Sequence, residues 1–446
     1  MKQSRISRRE FITKATGAAL AFPTILPASV LGRDGKVAPS ERINMGMLGV
    51  GARGLGNTRN FLGLDDVRIG AICDVNQTHL IRASQAISEQ SESNDLKSYT
   101  DFRELNADPS IDAIMMALPV HWHTIPSLDA IAQGKHIYYE KPMALSLKEA
   151  QMVRAAVKKH NVIFQFGTQQ RSSIYFRWAS ELAMNGRLGE IQRIEVGVPG
   201  GEVSEEFPEE PIPEWVDWER WSGPAPSAPF NEKRLKRSFH ELIADYSLGM
   251  ISCWGIHHMD IANWGNGTDS TGPVSVEGTG NFPKTGTCDT VLDWRVRFEF
   301  EKAPPIEFSD QGHHRMGVNY VGDQSSLHVT RGAINPESKG FLRDPNNKED
   351  ALPTRLPVSS NHYRNFIDAI RNGSQPIAPI DSAVRSDTLC QLALIAIKCG
   401  RKLQWDPKKE QFVNDARANR MLQPRKPRSP WTVSYTHLTL PTMFEV

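Results

Sequence analysis

The chain has 446 residues, which at about 150 residues per domain predicts two or three domains, each long enough to bury a core. Its 52 Lys and Arg against 51 Asp and Glu leave no global field to hold nucleic acid or an anionic membrane. With 39% hydrophobic and 23% charged residues, a disordered chain is also excluded.

The five cysteines, Cys73, Cys253, Cys288, Cys390 and Cys399, lack the paired spacing of a zinc site or a secreted disulfide framework and read as buried thiols. Residues 1–35 carry Lys2, Arg5, Arg8 and Arg9, then the apolar stretch Ala15–Gly32 broken by Pro23 and Pro27, then small residues at Ala28 and Ser29. That is the layout of an export signal. The stretch is shorter than the ~20 continuous apolar residues of a membrane span, so no stable membrane anchor is expected. The start Ser7-Arg8-Arg9-Glu10-Phe11-Ile12 with Lys14 resembles the bacterial twin-arginine signal, which implies the twin-arginine export machinery as a partner and a periplasmic location. A chance Arg-Arg pair before an ordinary secretory signal is the alternative.

Next, Ile43–Leu48 reads as a short buried strand running into Gly49-Val50-Gly51-Ala52-Arg53-Gly54, a G-x-G-x-x-G turn. A dinucleotide needs glycines there for the tight turn, for backbone approach to the pyrophosphate and for close packing of the following helix. Such turns are common, so the context carries the assignment. A helical segment at Asn57–Leu62 and a second strand at Val67–Cys73 follow, and Asp74 lies twenty residues after Gly54, where a carboxylate can bind ribose hydroxyls and repel a 2′-phosphate. This favours NAD over NADP, with NADP still possible. The other reading of Asp74 is an N-cap for a helix at Gln77–Ile87.

The alternation continues through Ile111–Leu118, a helix at Ile125–Gln133 closed by Gly134, and a strand at His136–Tyr139 leading into Glu140-Lys141-Pro142. Strands alternating with helices predict a parallel sheet, whose ligands sit beyond the carboxyl ends of its strands. Pro119, His123, Glu140 and Lys141 should therefore face the same crevice as Gly49, Gly51, Ala52, Arg53 and Gly54. Arg171, after the apolar strand Val162–Phe166, is either a substrate contact or half of a structural ion pair. Residues 200–230 form a proline-rich loop with Trp215, Trp218 and Trp221; such rings either stack on a sugar or pin the loop to the domain. The strand Thr290–Phe300 alternates apolar residues, and helices are predicted at Asn361–Asn372, ended by Gly373, and at Ser382–Lys398, ended by Gly400. The tail 432–446 changes character from Ser434 and reads as a scar of cloning or sequence assembly.

With these residues, and with Asp245-Tyr246-Ser247-Leu248-Gly249-Met250 running to Gly255-Ile256-His257-His258-Met259-Asp260, the chain resembles the Gfo/Idh/MocA family of glucose-fructose oxidoreductases and inositol dehydrogenases over roughly residues 42–431. Gly167-Thr168-Gln169-Gln170-Arg171, Trp221-Ser222-Gly223-Pro224-Ala225-Pro226 and Asn361-His362-Tyr363-Arg364-Asn365-Phe366 are similar to its exported branch. The resemblance implies an α/β fold: a Rossmann dinucleotide-binding domain at 40–165, and at 166–431 a substrate-binding and oligomerisation domain with a large open mixed sheet. It also implies a homo-oligomer, a dimer or tetramer, and nicotinamide-dependent redox at a secondary alcohol of a sugar or polyol.

By that resemblance Lys141 contacts the substrate hydroxyl and His257 is the acid/base. Hydride leaves an alcohol carbon efficiently only if the O–H proton is removed as the carbonyl forms, and an imidazole beside an ammonium suits that chemistry. Relatives commonly carry an aspartate four residues before the histidine; here Cys253 stands there, and it cannot supply the same charge. His258, with Asp245 or Asp260 as partner, is the second candidate. Arg171, Asp245 and Trp221 are the candidate substrate contacts. A metal reading of His257, His258, His313 and His314 fails on spacing, since neither adjacent pair is aimed at one ion. Two other classes use the same parts: a redox-assisted glycosidase or lyase acting through a transient 3-keto sugar, and a non-catalytic sugar-binding protein.

Overall fold

The computed structural model describes residues 37–38, 41–90, 95–337 and 352–431. The expected export signal at 1–35 and the tail at 432–446 lie outside the described residues.

Six parallel strands form the first sheet: β1 (Ile43–Leu48), β2 (Val67–Cys73), β3 (Lys97–Tyr99), β4 (Ala113–Met116), β5 (His136–Tyr139) and β6 (Phe164–Phe166), in the order β3-β2-β1-β4-β5-β6. Every residue of β4 and β6 is buried, which is why these segments read as unbroken apolar runs rather than alternating ones. The order reverses between β1 and β4, so the loops leaving these two strands diverge and open a crevice. The helix predicted from Asn57 begins earlier, at Ala52, directly on the glycine turn. The cap of Gln77–Ser88 is Asn76, whose side chain accepts from the backbone of Thr78 and His79; Asp74 is not the cap.

The second sheet has nine strands: β7 (Ile191–Val198), β8 (Ser275–Asn281), β9 (Asp293–Glu299), β10 (Ile306–Asp310), β11 (Gly317–Gly322), β12 (Ser326–Val329), β13 (Ile334–Pro336), β14 (Leu403–Asp406) and β15 (Gln411–Phe412). Their order is β13-β12-β11-β7-β10-β9-β8-β14-β15, with β7 and β10 parallel and the other pairs antiparallel. One face is covered by the helices Gly255–Gly265 and Ile380–Cys399. The opposite face is a ladder of charges, with Arg193 bonded to Glu195 at 2.8 Å, Arg297 to Glu299 at 2.7 Å, and Arg297 also to Glu307. Alternation along β9 puts Trp294, Val296 and Phe298 inward and leaves Arg295 exposed, which is the period-two pattern seen in the sequence. Among the described residues no helix is long and apolar enough to cross a membrane.

The two sheets are not served by separate stretches of chain. The helix His362–Asn372, capped by Asn361 and closed by Gly373, belongs by sequence to the C-terminal half, yet it packs on the first sheet. Phe366 meets Phe61 and Tyr138 edge-on, and Arg364 and Arg371 both bond Asp66. Cys73, Cys253, Cys288 and Cys390 are buried and Cys399 is partly buried, all as free thiols.

Phe366 is fully buried, so Phe366→Ala should leave a cavity and destabilise the protein by about 3–5 kcal/mol. Chemical denaturation followed by fluorescence and circular dichroism checks this; a loss below about 1 kcal/mol would mean that the helix is not held by this contact.

Candidate active site

The glycine turn is shaped by sterics at two positions. Gly49 has φ +78°, and a Cβ there would sit 2.4 Å from the Ala117 carbonyl oxygen; at Gly54 a Cβ would lie 1.9 Å from the oxygen of Gly49. Neither site admits a side chain without moving backbone. The helix Ala52–Leu62 has no acidic residue in its first turn, so its free N–H groups and dipole favour an anion. Asp74 braces the turn, accepting from Val50 N and Asn76 N at 2.9 Å each, and lies 3.2 Å from His79 Nδ1.

A cavity of about 680 Å³ opens over this turn, lined by Gly49, Gly51, Ala52, Arg53, Gly54, Asp74, Pro119, Glu140 and Lys141. A dinucleotide fits this set: bare backbone where the pyrophosphate must approach, a helix N-terminus for its charge, and a carboxylate at the end of β2 within reach of ribose hydroxyls. Arg53, Lys141, Arg237 and Glu241 also line a second, adjoining cavity of about 340 Å³. His257 lines this second space, together with Gln169, Gln170, Trp254, Arg331 and Tyr363. Lys141 and His257 come from different domains and line the same space.

Glu140 is 2% exposed, and its Oε1 accepts from Arg53 Nε at 2.7 Å, Asn57 Nδ2 at 3.0 Å and Gln169 Nε2 at 3.1 Å. Burial pushes this carboxyl up, but Arg53 and Asn57 outweigh it and hold it below the usual carboxylate range. Glu140 therefore reaches the cofactor space as an anchor for Arg53. Gln169 takes φ +31°, an uncommon conformation for a residue with a Cβ, and its amide is fixed by Tyr138 Oη at 2.7 Å as well as by Glu140.

Lys141 Nζ donates to the Cys253 carbonyl oxygen at 3.1 Å and to Glu241 Oε1 at 3.3 Å. Cys253 Sγ lies 3.1 Å from Ser247 Oγ, and burial pushes its thiol up to about 12, so the residue is uncharged. The carboxylate facing the lysine is instead Glu241. His257 is buried and its Nδ1 has no protein partner among the described residues. Burial, Lys141, Arg331 and His258 push it well below the ordinary histidine value, so the imidazole is neutral and able to accept a proton.

Several expected contacts belong elsewhere. His258 donates Nδ1–H to the Gly197 carbonyl at 3.0 Å, packs between Phe176 and Trp254, and is held by burial at about 4; it is a packing residue. His123 is fully buried, 2.7 Å from the carbonyl oxygens of both Leu118 and Pro142, and ties the two loops behind the cavity instead of lining it. Arg171 forms paired bonds to Asp260 and Asp269 under the helix Gly255–Gly265, the structural alternative. Asp260 also accepts from Ser386 and Thr168 and has nothing left for a histidine. Asp245 pairs with Arg425 on the surface. Trp221 stacks on Trp218 and meets Tyr246 edge-on, its carbonyl accepts from Trp122 Nε1, and it borders the larger space only. The loop 200–230 is thus pinned by its tryptophans. Glu241 and Arg331 were invisible to sequence reasoning, because neither sits in a motif. His313 and His314 lie on the open face of the second sheet, away from His257.

A six-stranded parallel sheet with a glycine turn at its switch point, closed by a mixed-sheet domain that supplies a histidine opposite a lysine, defines a two-domain nucleotide-dependent oxidoreductase fold. Residues 43–168 match the NAD-binding Rossmann fold of the Gfo/Idh/MocA oxidoreductases, and residues 201–433 match that family's C-terminal alpha/beta domain. The chain belongs to the Gfo/Idh/MocA oxidoreductase family, and its cofactor is NAD.

It is 30% identical over 185 residues to the uncharacterized oxidoreductase YrbE of Bacillus subtilis, covering 41% of this chain and 49% of that one. It is 32% identical over 166 residues to glycosyl hydrolase family 109 protein 1 of Shewanella sp. (strain ANA-3), covering 32% of this chain and 35% of the other. The matches thus span half or less of these relatives' length. The WlbA dehydrogenase of Bordetella pertussis, crystallised with NADH and UDP-GlcNAcA, superposes with a TM-score of 0.60 at 16% identity over 82% of this chain and 99% of that chain, a likeness of fold.

Arg171→Ala should destabilise the protein by about 3–5 kcal/mol through the two carboxylates it strands, while NAD affinity in the folded fraction stays unchanged. Thermal unfolding and nucleotide titration check both; a variant of native stability with weakened sugar binding would restore Arg171 as a substrate contact.

Proposed function

We propose that the protein transfers hydride between NAD and a secondary alcohol carbon of a sugar or polyol. The observation that carries this reading is that Lys141 and His257, from two domains, line one space that adjoins the glycine-turn cavity and shares Arg53, Lys141, Arg237 and Glu241 with it. NAD supplies the hydride acceptor at that carbon. Lys141 binds the hydroxyl oxygen and offsets the negative charge that grows on it as the proton departs. His257, neutral and lining that space, takes that proton; in the reverse direction it returns it. Glu241 and the Cys253 carbonyl fix the ammonium in place.

The export-signal layout of residues 1–35 supports a periplasmic location, where no soluble nicotinamide pool is expected, and hence a tightly held cofactor recycled within each turnover or by a second substrate. The charged open face of the second sheet supports self-association there, as a dimer or tetramer. Similarity to glycosyl hydrolase family 109 proteins favours one second reading, in which transient oxidation acidifies a neighbouring C–H and permits glycoside cleavage with no net redox.

Lys141→Ala and His257→Ala should each lower kcat/KM by about 10²-fold or more while the nucleotide released on denaturation stays at the wild-type amount. Product analysis separates the readings: a ketone or a reduced acceptor supports the oxidoreductase, a released aglycone the glycosidase. Full turnover in both variants would refute the assignment of the two residues.

Because His257 is held neutral, the acid limb of kcat/KM for alcohol oxidation should fall below the ordinary histidine value of about 6.5. Removing the nearby cation with Arg331→Gln should shift that limb upward. A limb at or above 6.5 in the wild type, unmoved in the variant, would show that another group titrates.

A further inference from the structure

The charges around the inner space do not balance. Arg53 is committed to Glu140, and Lys141 and the mostly exposed Arg237 share the one carboxylate of Glu241. Arg331, at the turn between β12 and β13, lines the same space as His257 and has no carboxylate partner among the described residues. Its guanidinium lies over the Trp254 ring, 4.5 Å from the centroid. With the Gln170 amide turned to satisfy both neighbours, Gln170 Nε2 donates to the His257 carbonyl at 2.6 Å and its Oε1 accepts from Arg331 Nε at 3.1 Å.

Stacking and the Nε bond together fix the plane of the guanidinium, and they leave its two terminal nitrogens without a protein acceptor among the described residues. A planar fork of this kind, fixed beforehand on an aromatic face, matches a carboxylate or phosphate. A neutral hydroxyl would use one of its donors and leave the charge uncompensated. Gln170 ties Arg331 Nε to the backbone carbonyl of His257, and both residues line one space, so an anionic group on the fork and a hydroxyl offered to His257 can belong to one small molecule.

We propose that the substrate is an anionic sugar, a sugar carrying a carboxylate or phosphate, and that Arg331 is the residue that selects it. This rests on the hydride-transfer reading of the same site and names its substrate class.

The test measures binding to the NAD-loaded protein by calorimetry, with glucose, galactose and mannose set beside their uronic acids and 6-phosphates. Nucleotide reduction is followed in parallel by absorbance. At least one anionic probe should bind roughly 10- to 100-fold more tightly than its parent hexose. The uronate and phosphate arms show which anion is preferred. Arg331→Gln should bring that ratio close to one, and Arg331→Lys should retain part of it. In the wild type the ratio should shrink as salt rises, a readout that needs no variant.

Equal or tighter binding of the neutral hexoses, no binding of any anionic probe, or a preference that survives in folded Arg331→Gln overturns the proposal. Anion preference without nucleotide reduction by any sugar supports it while overturning the hydride-transfer reading.

Discussion

The buried carboxylate of Glu140 is the constraint from which the site's geometry follows. A charge at 2% exposure costs several kcal/mol unless it is paired, and here three side chains converge on one of its oxygens. Arg53 comes from the glycine turn, Asn57 from the next turn of the same helix, and Gln169 from the loop after β6. Asn57 in turn accepts from Tyr363 Oη at 2.9 Å, which brings in the helix that returns from the C-terminal half. The residue after Glu140 is Lys141, so the ammonium is placed by the same network that shapes the nucleotide turn. Cofactor geometry and lysine position are one structural variable.

The opposite wall is placed by a second buried charge cluster. Arg171, Asp260 and Asp269 form a closed set under the helix Gly255–Gly265, tied to the helix Ile380–Cys399 through Ser382 and Ser386. The helix that carries His257 is thereby fixed against its neighbour before any ligand arrives. The charges lining this space then divide: Glu241 faces the lysine, and burial, with the cations of Lys141 and Arg331 adding to it, keeps the histidine neutral. No carboxylate stands four residues before the histidine; the one facing the lysine, Glu241, comes from a different segment of chain, and Cys253 contributes a backbone carbonyl.

What the sequence showed, it showed through local chemistry. The Gly49 to Gly54 turn is legible because only glycine tolerates those backbone clashes, and the parallel sheet because strands buried on both faces leave uninterrupted apolar runs. Lys141 and His257, singled out through the family resemblance of their flanking segments, line one space. Single polar residues were not legible in this way. Arg171, Asp245, His123 and His258 all carry groups suited to a site, and each is consumed by a partner distant in sequence: Asp260, Arg425, the Pro142 carbonyl and Gly197. Glu241 and Arg331 were missed for the converse reason. Their neighbours in sequence say nothing, and only the packing of the C-terminal domain brings them to the lysine and the histidine.

The central claim, that the two adjoining cavities place the nicotinamide between Lys141 and His257, is tested most directly by a crystal structure of the protein with NAD bound. The account predicts the pyrophosphate on the Gly49 to Gly54 turn and the nicotinamide ring at the junction of the two cavities, in contact with Lys141 and facing the space lined by His257. A ring seated elsewhere, or side chains of Lys141 and His257 parted to opposite sides of the bound cofactor, would contradict it.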